Sequence, residues 1–99
     1  MIPKTQFTYI YARVYINKLH TKRIIYSGIT DDMYRRQKEH EDGKSITTNR
    51  YNKSYLLSEI RYKEYEIPRH VIEDLEKRFK RLKLNDKMDE ITNWEVFSG

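Results

Sequence analysis

The sequence predicts a small α+β domain, an antiparallel three-stranded β-sheet flanked by α-helices, with residues 1–99 forming one unit. Three observations predict it. Residues from Phe7 to Ile16 alternate in character with a period of two, and an apolar stripe of helical period follows Pro68. The length of 99 residues is enough for one core and too short for two.

In the first strand Ile10, Ala12, Val14 and Ile16 fall on one side and are predicted to face the core. Phe7, Tyr9, Tyr11, Arg13 and Tyr15 fall on the other, a face suited to covering a half-buried surface or lining a site. Asn17 to Arg23 is polar and turn-like, and Ile24-Ile25-Tyr26 resumes an apolar strand, so Phe7 to Ile29 reads as a hairpin with a long loop. Ile24, Tyr26 and Gly28 share a face of its second strand.

Thr30-Asp31-Asp32 is a helix start, because hydroxyls and carboxylates accept the unpaired first amides, and Gly43 is a stop. Between them Met33, Arg36, Gln37 and His40 share one face, where packing alone would place apolar residues. Lys44 to Ser54 is expected to be an exposed loop with room for a helical turn. A third strand follows through Tyr65, with Ile60 and Tyr62 on its inner face. Pro68 is placed as the first residue of a helix whose stripe is Ile72, Leu75, Phe79 and Leu82. A last helix is predicted over Asp86–Trp94, carrying Met88, Ile91 and Trp94.

Twenty Lys and Arg against 15 acidic residues leave a formal charge of +5, which favours a polyanionic partner. The absence of cysteine excludes disulfides, Cys-ligated zinc and a thiol nucleophile, so any metal must be held by oxygen or imidazole. A hard cation is the natural candidate. No apolar run approaches the ~18 residues that span a bilayer, and Met1-Ile2-Pro3-Lys4 does not resemble a secretory signal; the expectation is an intracellular, cytoplasmic protein.

The most specific run is Tyr26-Ser27-Gly28, then Arg36 ten residues after Tyr26, His40 four further on, and Gly43 three beyond that. This run resembles the signature of GIY-YIG nucleases, in which a strand ending in Tyr-x-Gly leads into a helix bearing Arg and His. The resemblance extends, through weaker motifs, over nearly the whole chain. Glu76-Lys77-Arg78-Phe79-Lys80 is similar to the family's helix that supplies one metal-binding glutamate. Helix geometry independently separates Glu76, about 80° from the centre of the apolar stripe, from Glu73, about 140° away.

The resemblance implies a metal-dependent DNA endonuclease that hydrolyses phosphodiester bonds with one Mg²⁺ or Mn²⁺. Its implied catalytic residues are Tyr11, Tyr26, Arg36, His40 and Glu76, with Glu76 the metal ligand. Arg36 would clamp the scissile phosphate through its planar fork, and a hairpin tyrosine would assist the attacking water. His40 would orient that tyrosine, share proton transfer or bind phosphate. The sequence departs from the pattern in its first triplet: Tyr9-Ile10-Tyr11 stands where Gly-Ile-Tyr is usual, and Tyr15 is a rival to the preferred Tyr11, since both lie on one strand face. Ser27 and Gln37 occupy positions the family makes apolar. Arg13, Lys44, Thr48 and Arg50 are the expected nucleic-acid contacts. Two other readings stand beside this one: a nucleic-acid-binding module without turnover, and a protein-interaction domain that uses the tyrosine-rich strand face.

Overall fold

The computed structural model describes residues 7–43 and 54–99. Its strands are β1 (Thr8–Asn17), β2 (Arg23–Thr30), β3 (Tyr55–Tyr65) and β4 (Glu95–Val96), and its helices are α1 (Met33–Glu41), α2 (Arg69–Arg81) and α3 (Leu84–Ile91). The strands form one antiparallel sheet in the order β2-β1-β3-β4. The predicted three-stranded sheet is therefore a four-stranded one. Its extra member is two residues long, too short for any alternation to reveal.

The β1–β2 connection is organised by Asn17. Its Oδ1 accepts from the amides of Thr21 and Lys22, both at 2.9 Å, and its Nδ2 donates to Thr21 Oγ1. A short amide side chain thus replaces the backbone partners that a tighter turn would supply. Opposite the sequence's hairpin, β3 pairs with the other edge of β1, so β1 is central; the register shifts between Val14 and Tyr15. At the start of α1, Asp32 Oδ1 accepts from Arg35 N at 3.0 Å, the cap that the acidic pair predicts. At its end Gly43 takes a φ of 75° and donates to the His40 carbonyl, a left-handed stop that glycine adopts without strain.

Pro68 stands one position earlier than predicted. It caps α2 from outside, and its carbonyl accepts from Val71 and Ile72. The last helix is also displaced: α3 begins at Leu84 and ends at Ile91, so Trp94 lies beyond it, in the turn that delivers the chain to β4.

The sheet has a core on each face. Behind it, Ile10, Ala12 and Val14 pack with Ile72 and Phe79 of α2, Ile91 of α3, and Trp94. Leu82, predicted in this stripe, is instead the exposed C-cap of α2. In front, Tyr11 and Ile60 pack with Met33 of α1. Strand β1 is consequently buried on both sides, from Ile10 to Tyr15 without interruption. The tyrosine side, expected to cover a half-buried surface or to line a site, is fully buried over this stretch because α1 lies across Tyr11 and Arg13. Among the described residues no helix is long and apolar enough to cross a membrane.

Candidate functional site

Antiparallel register places the site. Tyr11 of β1 stands opposite Gly28 of β2 and Tyr62 of β3, and Arg13 stands opposite Tyr26 and Ile60. Directly opposed residues point to the same side, so these side chains all face α1. Gly28 is required there for space: a Cβ at this position would overlap the Tyr11 hydroxyl and come within 2.6 Å of Tyr11 Cζ. The tyrosine ring lies on a strand from which the side chain has been removed.

From α1, His40 and Arg36 meet the Tyr11 hydroxyl together. His40 Nε2 is 2.8 Å from it and Arg36 Nε donates to it at 3.1 Å. Tyr11 and His40 are fully buried. Burial above all, then the nearby charges of Arg13 and Arg36, hold His40 down to about 3. Burial likewise pushes the Tyr11 phenol up to about 12, with Arg36 only partly opposing it. Both groups are therefore neutral at physiological pH; the Tyr11 oxygen accepts from Arg36, and it shares one hydrogen bond with His40 Nε2 whose direction the imidazole tautomer sets.

The consequence is a fixed, neutral support on the inner side of a guanidinium. The Arg36 side chain is 28% exposed, and besides Tyr11 its partner among the described residues is Glu39, 3.6 Å from Nη1. Tyr26 is half-buried beside the pair, its ring edge-on to His40 with centroids 5.5 Å apart. This arrangement can hold an anion on the outward nitrogens of Arg36 next to an accessible phenol.

The structure separates the two rival tyrosines. Tyr11 joins His40 and Arg36, whereas the Tyr15 hydroxyl accepts from Arg13 Nε at 2.8 Å. Arg13 itself, expected at the nucleic-acid surface, is 1% exposed, with its Nη1 donating to Gln37 Oε1. The physical reason is the same helix: α1 lies over Tyr11 and Arg13, and Gln37, which sequence alone marked only as an unusual polar residue, is the acceptor that accommodates the buried cation. Gln37 Nε2 is buried without a partner among the described residues. Lys44, Thr48 and Arg50 lie outside the described residues.

Glu76 is the residue the fold does not bring to the others. It is buried, as its helical angle predicts, while Glu73 is exposed and paired with Arg69. But α2 packs behind the sheet, where Glu76 accepts from Ser27 Oγ at 2.8 Å and lies 3.3 Å from Lys80 Nζ. Ser27 alternates with Tyr26 and Gly28, so its hydroxyl points away from the Tyr11 cluster. Glu76 and Arg36 thus stand on opposite faces of β2. A Mg²⁺ on Glu76 would compete with Lys80 and would lie across the sheet from the phosphate clamp, so the donor set does not fit the expected one-metal site. Among the described residues no group of three or more His, Asp or Glu side chains is arranged to hold a metal.

Compared with protein-family models, curated proteins and solved structures, the chain matches none. The site rests on its own residues.

Proposed function

We propose that the chain is a nucleic-acid phosphodiesterase, an endonuclease acting on DNA, with Arg36 as the phosphate clamp. The observation that carries this reading is the Tyr11–His40–Arg36 hydrogen-bonded cluster. A buried polar set of this kind is unfavourable unless its members satisfy one another. Here they do so while holding a half-exposed cation whose outer fork matches a phosphate. The GIY-YIG resemblance of Tyr26, Gly28, Arg36 and His40 and the +5 charge add to it.

In this reading Arg36 binds the scissile phosphate and the charge developing on it. Tyr26 is the accessible hydroxyl that hydrogen-bonds the attacking water. Tyr11 and His40 are positioning residues, too enclosed to touch substrate. Mg²⁺ or Mn²⁺ is the cofactor that phosphodiester chemistry and the family resemblance call for, but no step is assigned to an ion on Glu76.

A cleavage panel of duplex, single-stranded, flap and branched DNA with Mg²⁺, Mn²⁺ or chelator tests the proposal. Arg36→Ala is expected to lower cleavage by about 100-fold or more. Tyr26→Phe lowers kcat more than KM. Folded wild type without turnover on any substrate overturns it. Glu76→Gln is expected to retain cleavage, as a carboxylate on the opposite face of β2 from Arg36 requires; loss of cleavage in a folded variant contradicts that placement.

The position of Glu76 specifically favours a second reading, a nucleic-acid-binding module without turnover. Salt-sensitive binding, weakened by Arg36→Ala and unaccompanied by cleavage, is its expected signature.

A further inference from the structure

At the end of the sheet where β1 begins, Tyr9, Tyr34, Tyr62 and Phe97 surround a concavity of about 530 Å³, with Asp31 and Asp32 on its wall. The four rings meet at steep angles. Tyr9 and Tyr62 cross at 72°, Tyr62 and Phe97 at 82°, and Phe97 and Tyr34 at 69°, with centroids 5.2–6.1 Å apart. Successive rings near perpendicular make the corner of a box, whereas a nucleobase needs a slot with parallel faces or one broad open ring.

The charge around the box is the inverse of the chain's. Tyr9 donates to Glu64 and Tyr62 donates to Glu95, which ties two further carboxylates to the hydroxyls of lining tyrosines. Of Asp31, Asp32, Glu64 and Glu95, only Asp31 has a cation partner among the described residues, Arg35. Both phenols are raised, Tyr9 by burial and then by Glu64, and Tyr62 by its bond to Glu95 and then by burial. In a protein of net charge +5, an acidic, aromatic-walled concavity repels phosphates and attracts cations.

We propose that this box binds one alkylammonium or guanidinium group, the Lys or Arg side chain of a basic peptide segment on a partner protein. The aromatic surface left free by these edge-to-face contacts supplies cation–π attraction, and the carboxylates supply the counter-charge. The concavity adjoins the Arg36 cluster but includes none of Tyr11, Tyr26, Arg36 or His40 in its lining, and the proposal does not depend on the phosphodiesterase reading.

The test is a titration of the whole chain with blocked Gly-Lys-Gly and Gly-Arg-Gly peptides and their norleucine and citrulline isosteres, read by the aromatic NMR signals of the four rings. The charged peptides are expected to shift those signals and to bind about tenfold or more tightly than the neutral ones, with affinity falling as salt is raised. Phe97→Leu, which keeps apolar volume without the ring, and Glu95→Gln, which keeps the hydrogen-bond acceptor without the charge, are each expected to weaken binding about fivefold. Unchanged His40 signals confirm that the variants are folded. Equal binding of neutral isosteres overturns the proposal in favour of an apolar groove. Shifts produced by a nucleoside monophosphate and not by the cations overturn it in favour of a base pocket, and immobile signals with every probe overturn it outright.

Discussion

His40 is the residue on which pH acts most directly. Its base form is what the fold holds, because burial first and then the neighbouring cations Arg13 and Arg36 oppose a proton, while Tyr11 meets it as a neutral phenol. A histidine held at about 3 in the folded chain and near its ordinary 6.5 when unfolded binds protons preferentially in the unfolded state. Its stabilising contribution is therefore complete above about pH 6.5 and declines as pH falls toward 3, with a limiting slope of about 1.4 kcal/mol per pH unit. The stability gap between wild type and His40→Gln, measured by denaturant titration, is expected to narrow between pH 7 and pH 5. A gap independent of pH would contradict this. Gly28→Ala is expected to cost about 1–3 kcal/mol, because the added methyl displaces the Tyr11 ring, and to weaken the Arg36 site as a secondary effect. At this scale the sequence was partly legible. Alternation placed Tyr11 and Arg13 on one face, and spacing placed Arg36 with His40. Neither pattern shows what covers a face, which is why Arg13 was read as a surface contact although it is enclosed by Tyr15 and Gln37.

Strands and helices were legible wherever a period ran long enough. The stripe Ile72, Leu75, Phe79 identified the buried side of α2, and Phe79→Ala is expected to cost about 3–5 kcal/mol in a chemical-denaturation experiment, since its ring packs on Trp94 with centroids 5.0 Å apart. The same helix shows the limit of one-dimensional geometry. An angle of about 80° from the stripe correctly turns Glu76 inward, yet it carries no information on which side of the sheet the helix docks. That choice is made by chain connection and by the aliphatic face of β1, which α2 and α3 cover. The two residues of β4 and the non-helical turn at Trp94 are below the length at which periodicity distinguishes anything.

For the molecule as a whole, one sheet separates two cores, and β1 contributes to both. Its pairing with β3 joins residues far apart in sequence, such as Thr8 with Tyr65, so the sheet cannot be completed until a long stretch of chain has been ordered. Sharing one central strand couples the two sides. Unfolding followed by Trp94 fluorescence, which reports the rear core, is expected to coincide with unfolding followed by the His40 NMR signals, which report the front. Separated midpoints would show that the faces melt independently.

The enclosure of β1 also has an evolutionary consequence. From Ile10 to Tyr15 no position has a side open to solvent, so a substitution on the tyrosine side is felt at once by neighbours committed to holding the rear aliphatic layer. In a deep mutational scan selected only for folding, this segment is expected to tolerate fewer amino acids than the exposed positions of α2. Change is thereby channelled toward exposed positions such as Tyr34 and Val96, which can vary without renegotiating the interior.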